Sequence, residues 1–194
     1  MKKQVTKFFK YRSYTPVPFV ILMLIFQKAS VESMLIGLTI ALIGEGFRFW
    51  GVAYAGSETR TTGAVGGTFL VVSGAFGYTR NPLYLGNILL YVGVGVMSFA
   101  LFPYLQIAAL LFFYFQYRVI IAEEEAYLQK TFGEHYSDYK KSVPRFLPKF
   151  SRYKNDEIEQ PKLNLKAAVK SETRTLQAFG FIVTILFALF LFVN

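Results

Sequence analysis

The stretch Gln177–Val193, QAFGFIVTILFALFLFV, holds no charged residue across 17 positions. A membrane-spanning helix needs roughly 17–25 predominantly apolar residues, at about 1.5 Å of rise each. This is the cleanest of five apolar blocks. Working back along the chain, Tyr104–Ala122 and Leu85–Leu101 are two more, and Ser33–Ala55 is a fourth, with Glu45 and Arg48 inside it. Pro16–Ala29 is the fifth, interrupted only by Gln27 and Lys28. The short connections at Gln27–Glu32 and Phe102–Pro103 predict helical hairpins rather than strands. The expected fold is therefore all-α: one integral membrane helical bundle over residues 1–194. It has about five transmembrane helices, at 16–29, 33–55, 85–101, 104–122 and 177–193. The basic segment before the first block is not followed by a small-residue cleavage site, which speaks against a cleavable signal peptide.

Composition agrees. Hydrophobic residues make up 54% and charged residues 17%, against roughly 25% charged in ordinary globular chains. So much apolar surface exceeds what a soluble domain of this size can hide, and disordered, collagen-like and disulfide-stapled classes are excluded. With no Cys and one His, the chain lacks the donors of cysteine zinc sites, iron–sulfur clusters and thiol nucleophiles, so no metal is expected. The net charge of +9 points to an anionic membrane surface rather than to nucleic acid.

The basic residues are unevenly spread. Between alternate blocks, 18 Lys and Arg fall on one side and one, Lys28, on the other. The positive-inside rule then places the N-terminus in the cytoplasm and the C-terminus outside, in a cell membrane or endomembrane. Two segments, 56–84 and 123–148, would face the cytoplasm together and form the candidate site. The polar run Lys149–Lys170 has no periodicity and reads as a loop or a surface helix lying on lipid.

Within the first segment, Gly74 and Gly77 allow turns, and Pro82 disfavours helix at Asn81 while permitting one to start after it. Asn81 is thus placed as an N-cap near the free N–H groups of the next helix. Arg80 and Tyr84 would sit at the membrane edge, either as interfacial anchors or as reactive groups. In the second segment, Glu123, Glu124 and Glu125 close an apolar helix and point three ways, so at least one should face the interior and need a partner. Phe132, Tyr136, Tyr139 and Val143 recur at helical spacing, His135 lies off that stripe, and Pro144 and Pro148 end the helix.

The order Arg80-Asn81-Pro82-Leu83-Tyr84-Leu85-Gly86, then Glu124-Glu125, Phe132-Gly133, Tyr136, Tyr139, Val143-Pro144 and Pro148 resembles the isoprenylcysteine carboxyl methyltransferase family. That family is related in pattern to membrane phospholipid N-methyltransferases, and the likeness covers Thr68–Pro148. It implies a membrane methyltransferase using S-adenosylmethionine without a Rossmann domain; Gly93 and Gly95 sit mid-span, where helix packing explains them better than a phosphate loop. On the positions that match, Thr68, Phe69, Leu70, Val71 and Phe76 would line the cofactor. Asn81, Pro82, Leu83 and Tyr84 would follow, with Glu124 as the acidic contact and Arg80 and Tyr84 as catalytic residues. The implied acceptor is a lipophilic or lipidated molecule carrying a carboxylate or an amine. Two positions depart from the pattern: Asn81 stands where eukaryotic members usually have His, and Ile120 where an arginine is implicated in holding a substrate carboxylate.

Arg48 lies about 10 Å in from Ala55 at 1.5 Å per residue. With Glu45 at i−3 it reads either as a structural ion pair or as a substrate contact compensating for Ile120. Arg118 is the other intramembrane cation available to a substrate. Two rival readings are an NADPH-dependent sterol- or steroid-type membrane reductase and a small non-enzymatic membrane or transport protein. The paired glutamates with Val143-Pro144, and the want of a basic 2′-phosphate pocket, separate the first. The second predicts symmetry between halves, which the sequence does not show.

Overall fold

A computed structural model describes residues 13–56 and 69–193. Among them the chain is all-helical, with five α-helices: α1 (Val17–Ile25), α2 (Val31–Ala55), α3 (Pro82–Ser98), α4 (Tyr104–Ser142) and α5 (Leu165–Val193). A 3-10 turn, Gly74–Gly77, precedes α3.

Three helices, α2, α4 and α5, are long and apolar enough to cross a membrane. One difference from expectation is length: one of the five apolar blocks forms a helix shorter than expected. In the block 16–29 only nine residues are helical, Val17–Ile25, about half of what a span needs. Helix α3 is apolar and, with 17 residues, stands at the lower end of the range for a span. Two bonds hold the chain out of helix after α1: the Gln27 side chain accepts the Ala29 N–H at 3.0 Å, and the Lys28 N–H donates to the distant Ser98 carbonyl at 2.8 Å. Helix α2 then begins with a reciprocal serine cap. Ser30 Oγ accepts from the Ser33 N–H at 3.1 Å and Ser33 Oγ from the Ser30 N–H at 2.9 Å, which satisfies two otherwise orphaned donors.

A second correction concerns the glutamates. They do not close a helix, because α4 continues to Ser142 and Glu123–Glu125 lie within it. The helix changes course at Gly133, whose φ of 54° and ψ of −122° suit a residue without Cβ.

The described residues fall into two compact units, with α2, α3, α4 and α5 contributing to both. One comprises the described residues of 13–45, 86–116 and 173–193. Its core gathers Met23, Ala41, Leu90, Val94, Met97, Leu105, Phe179 and Leu186. Here α2 and α3 meet backbone to backbone. A Cβ on Gly37 would lie 2.4 Å from the Gly93 carbonyl oxygen, and one on Gly93 would lie 2.6 Å from the Ala41 nitrogen. Gly44 faces Gly86 in the same way, at 2.6 Å. Small residues at i, i+4 and i+7 on α2 form the close-approach surface that helix association in lipid requires. Gly93 therefore serves helix packing, as its mid-span position implied.

The other unit comprises the described residues of 46–56, 69–85 and 117–172. Leu70 and Val72 pack against Tyr136, Tyr139 and Val143, the aromatic stripe read from the sequence, with Phe132 at its edge. Val52, Ala53 and Ala168 form a second small core beside Phe49 and Leu83. The run 149–164 is not a helix; it is an ordered loop bonded to this unit at several points, including the Asn164 N–H to the Ala53 carbonyl at 2.8 Å.

Candidate active site

The candidate site is built in the second unit around the start of α3. Pro82 is the first helical residue, and the Leu85 N–H reaches the Asn81 carbonyl at 3.0 Å, so the helix begins where the Asn-Pro pair implied. The Asn81 side chain donates to the Arg145 carbonyl at 3.0 Å. Thr79 Oγ1 donates to the Phe146 carbonyl at 2.9 Å, and the Arg80 N–H to the Pro144 carbonyl at 2.9 Å. The Val143–Pro148 turn thus receives the chain just before α3 through three successive residues. Prolines at 144 and 148 prevent that turn from spending its carbonyls on helix, which leaves them free to accept.

Arg80 extends the same junction. Its Nη1 donates to the carbonyls of Lys140 at 2.8 Å and Val143 at 2.6 Å, two of the acceptors left over at the end of α4. Its Nε and Nη2 both donate to Glu125 Oε1, at 3.2 and 2.9 Å. Arg145 grips the same carboxylate from its other side, Nε to Oε1 at 3.1 Å and Nη2 to Oε2 at 2.5 Å. Glu125 is the inward glutamate, with its side chain 8% exposed. One carboxylate between two guanidiniums therefore joins three segments: the Arg80 loop, mid-α4 and the turn after α4. Charge-assisted bonds of this kind are roughly twice as strong as neutral ones.

Glu124, the next residue, has a different environment. It is half-buried and accepts from the Tyr84 hydroxyl at 2.6 Å. Tyr84 also packs on Tyr117, ring centroids 4.8 Å apart. Glu123 is exposed. The three adjacent carboxylates thus have three fates, as 100° steps around a helix require. The structure brings Arg80, Asn81, Pro82, Tyr84 and Glu124 together in one unit, makes Glu125 the glutamate with inward partners, and adds Arg145, which the sequence reading did not single out. The glutamate pair was a signal for the first; nothing local marks Arg145.

Of the residues expected to line a cofactor, Thr68 lies outside the described residues. Phe69 is exposed, Leu70 is buried and Val71 half-buried. Phe76 is half-buried and its carbonyl accepts from the Tyr139 hydroxyl at 2.7 Å. Leu83 rests beside Val52 and Ala53. Of the expected substrate contacts, Arg48 is buried and forms an ion pair with Glu172 of α5, the two side chains 10% and 0% exposed. Glu45 is buried in the other unit, Arg118 is exposed, and Ile120 is fully buried. The Arg48–Glu172 pair, 124 residues apart, escaped the sequence reading, because Glu172 sits in a polar run without any flanking motif.

Residues 33–135 match the family model described as phospholipid methyltransferase. The chain belongs to that family. Its members include isoprenylcysteine methyltransferases, so the resemblance carried by Arg80–Gly86 and the paired glutamates holds. Protein-S-isoprenylcysteine O-methyltransferase of Schizosaccharomyces pombe is 34% identical over 79 residues, 41% of this chain and 33% of that protein. Cobalt-zinc-cadmium resistance protein CzcN of Cupriavidus metallidurans is 30% identical over 122 residues, 63% of this chain and 50% of the relative. Nickel-cobalt-cadmium resistance protein NccN of Alcaligenes xylosoxydans xylosoxydans is 29% identical over 124 residues, 63% of this chain and 51% of the relative. The chain thus spans about half the length of these two metal-resistance relatives. No solved structure matches it. Among the described residues, no group of three or more His, Asp or Glu side chains could hold a metal ion.

Proposed function

We propose that this protein is an integral-membrane enzyme that transfers a methyl group from S-adenosylmethionine to a lipophilic acceptor bearing a carboxylate or an amine. The observation that carries the reading is the Tyr84–Glu124 corner. A half-buried carboxylate, oriented by a 2.6 Å bond from a tyrosine hydroxyl, stands beside the Asn-Pro helix start in a chain of the methyltransferase family. The residues suit the cofactor. Its ribose hydroxyls and ammonium group are donors, and Glu124 is acceptor-only when ionised. Half-buried Val71, Phe76 and Leu83 would offer it apolar surface, and buried Leu70, Asn81 and Pro82 would shape the wall from behind. When bound, S-adenosylmethionine would supply a methyl group on a sulfonium, open to in-line displacement.

The protein's own task is then positioning and exclusion of water, which can account for much of such a rate without a dedicated base. Tyr84 orients Glu124 through its hydroxyl while its ring packs on Tyr117. Arg80 acts by position: with four donated bonds it fixes the backbone of Asn81–Tyr84 against the end of α4. The buried Arg48–Glu172 pair serves the fold, and a substrate head group would meet an already neutralised arginine there. The excess of Lys and Arg between alternate blocks favours an N-terminus, and this site, on the cytoplasmic side.

Titration of detergent-purified protein with S-adenosylmethionine tests the reading. Wild type should bind. Glu124→Gln should bind about 10- to 150-fold more weakly, from a charged hydrogen bond of roughly 1.5–3 kcal/mol. Absence of binding by the wild type, or equal affinity of the variant, would sink the assignment.

A further inference from the structure

The segment Leu70–Ser73 has no helix or strand of its own, so its peptide groups must find partners elsewhere. They find a side chain. Gln160 Oε1 accepts the Val72 N–H at 2.8 Å and the Ser73 N–H at 3.0 Å, while Gln160 Nε2 donates to the Leu70 carbonyl at 3.0 Å. The same Nε2 lies 3.3 Å from the Ile158 carbonyl and 3.2 Å from that of Glu159, which anchors the carboxamide to its own backbone. A primary amide has one acceptor oxygen and two donors, so one glutamine can serve both N–H groups and the carbonyl of an extended segment. It takes the place of a neighbouring strand.

Gln160 does not act alone. The Lys149 N–H donates to the Tyr78 carbonyl at 3.0 Å and the Tyr153 N–H to the Gly77 carbonyl at 2.9 Å. A Cβ on Gly77 would come within 3.0 Å of Arg152 Cγ. Residues 149–160 therefore form a strap along 70–78. Between them lies a cleft of about 280 Å³, lined in part by Val72, Ser73, Arg152, Asn155 and Gln160. The strap lies wholly beyond residues 33–135, the part that matches the family model.

We infer that Gln160 is a positioning residue for cofactor binding: through the backbone of Leu70–Ser73 it holds one wall of the site, so this chain completes that wall with a strap from outside its family-matched region. The inference rests on the methyltransferase reading. Leu70 and Val72 are anchored on Tyr136 and Tyr139 by their side chains, but side-chain packing alone leaves the peptide planes free to rotate. The three amide bonds remove that freedom, which lowers the entropy lost on binding a ligand against this segment.

Three proteins in detergent decide it: wild type, Gln160→Ala and Gln160→Glu. Hydrogen exchange of the Val72 and Ser73 amides should accelerate in Gln160→Ala and stay slow in Gln160→Glu, which keeps the acceptor. S-adenosylmethionine affinity should fall about tenfold in Gln160→Ala, the loss expected from one or two net hydrogen bonds, and remain within about threefold in Gln160→Glu. In turnover, KM for S-adenosylmethionine should rise while kcat holds. Faster exchange with undiminished affinity overturns the inference, as does unchanged exchange in Gln160→Ala. Equal losses in both variants overturn it too, and Gln160→Glu alone still decides if Gln160→Ala does not fold. Wild-type protein that binds no S-adenosylmethionine refutes the methyltransferase reading and this inference with it. Wild-type binding with Glu124→Gln defective and Gln160→Ala normal overturns this inference alone and leaves the methyltransferase reading standing.

Discussion

Replacing Glu125 by Gln keeps the shape of the side chain and removes its charge. In the native protein that carboxylate accepts four bonds, two from Arg80 and two from Arg145, at distances between 2.5 and 3.2 Å. A carboxamide has one acceptor oxygen and turns a donor toward the guanidiniums. At least one arginine is left facing an N–H₂ group, and both cations lose their neutralising charge. Removing one member of a buried ion pair costs about 3–5 kcal/mol. The Arg80 side chain is 10% exposed and bears this in full, whereas that of Arg145 is 32% exposed and regains water. A loss of about 2–4 kcal/mol of folding stability is therefore expected. Reversible unfolding of the purified protein in mixed micelles, followed by circular dichroism, measures it. The double variant Glu125→Gln/Arg145→Met supplies the coupling, expected to exceed about 1 kcal/mol in favour of the native pair. Glu124→Gln is the internal comparison: one residue away, it should alter cofactor affinity and leave stability within about 1 kcal/mol. Glu125→Gln within about 0.5 kcal/mol of wild type would mean the two-arginine clamp does not hold the junction, and the positioning role given to Arg80 would fail with it.

Three further outcomes follow from other parts of the molecule. Arg48→Met should destabilise by about 3–5 kcal/mol by removing the guanidinium that pairs with buried Glu172, and Arg48→Met/Glu172→Leu should recover most of that loss, because a well-packed apolar pair can replace a buried ion pair. Thermal unfolding of single and double variants tests it, and a double variant no better than the worse single one refutes it. Gly93→Ala should cost about 1–3 kcal/mol, since its Cβ would lie 2.6 Å from both the Ala41 nitrogen and the Gly37 carbonyl oxygen. Gly180→Ala, where nothing lies within 4 Å of the added carbon, should be neutral or slightly stabilising in the same assay. For topology, Ser151→Cys in intact cells should resist an external membrane-impermeant thiol reagent, while a Cys added after Asn194 should react; labelling at position 151 from outside would reverse the proposed orientation.

The sequence alone determined whatever depends on neighbours along the chain. Runs of apolar residues identified the helices, because hydropathy over about twenty residues is a local sum. Pro82 set the start of α3 through its own ring, and the spacing of Tyr136, Tyr139 and Val143 gave the face that packs on Leu70 and Val72. The order of motifs from Arg80 to Pro148 was enough to recognise the family. What local pattern could not give was the extent of each helix and the partner of each charge. Block 16–29 has the composition of a span, yet its helix stops at Ile25, where the peptide N–H of Lys28 finds a carbonyl 70 residues away. Three consecutive glutamates look alike in sequence. Only the approach of Arg80 and Arg145 makes Glu125 the structural one and leaves Glu124 to Tyr84. Glu172 and Gln160 sit in polar stretches without periodicity, and each acquired its role from a group 124 or 88 residues distant. A buried charge or an unpaired peptide group must be satisfied by whatever the fold brings within about 3 Å of it. That choice is made in three dimensions, after the helices exist, and leaves no mark on the local sequence.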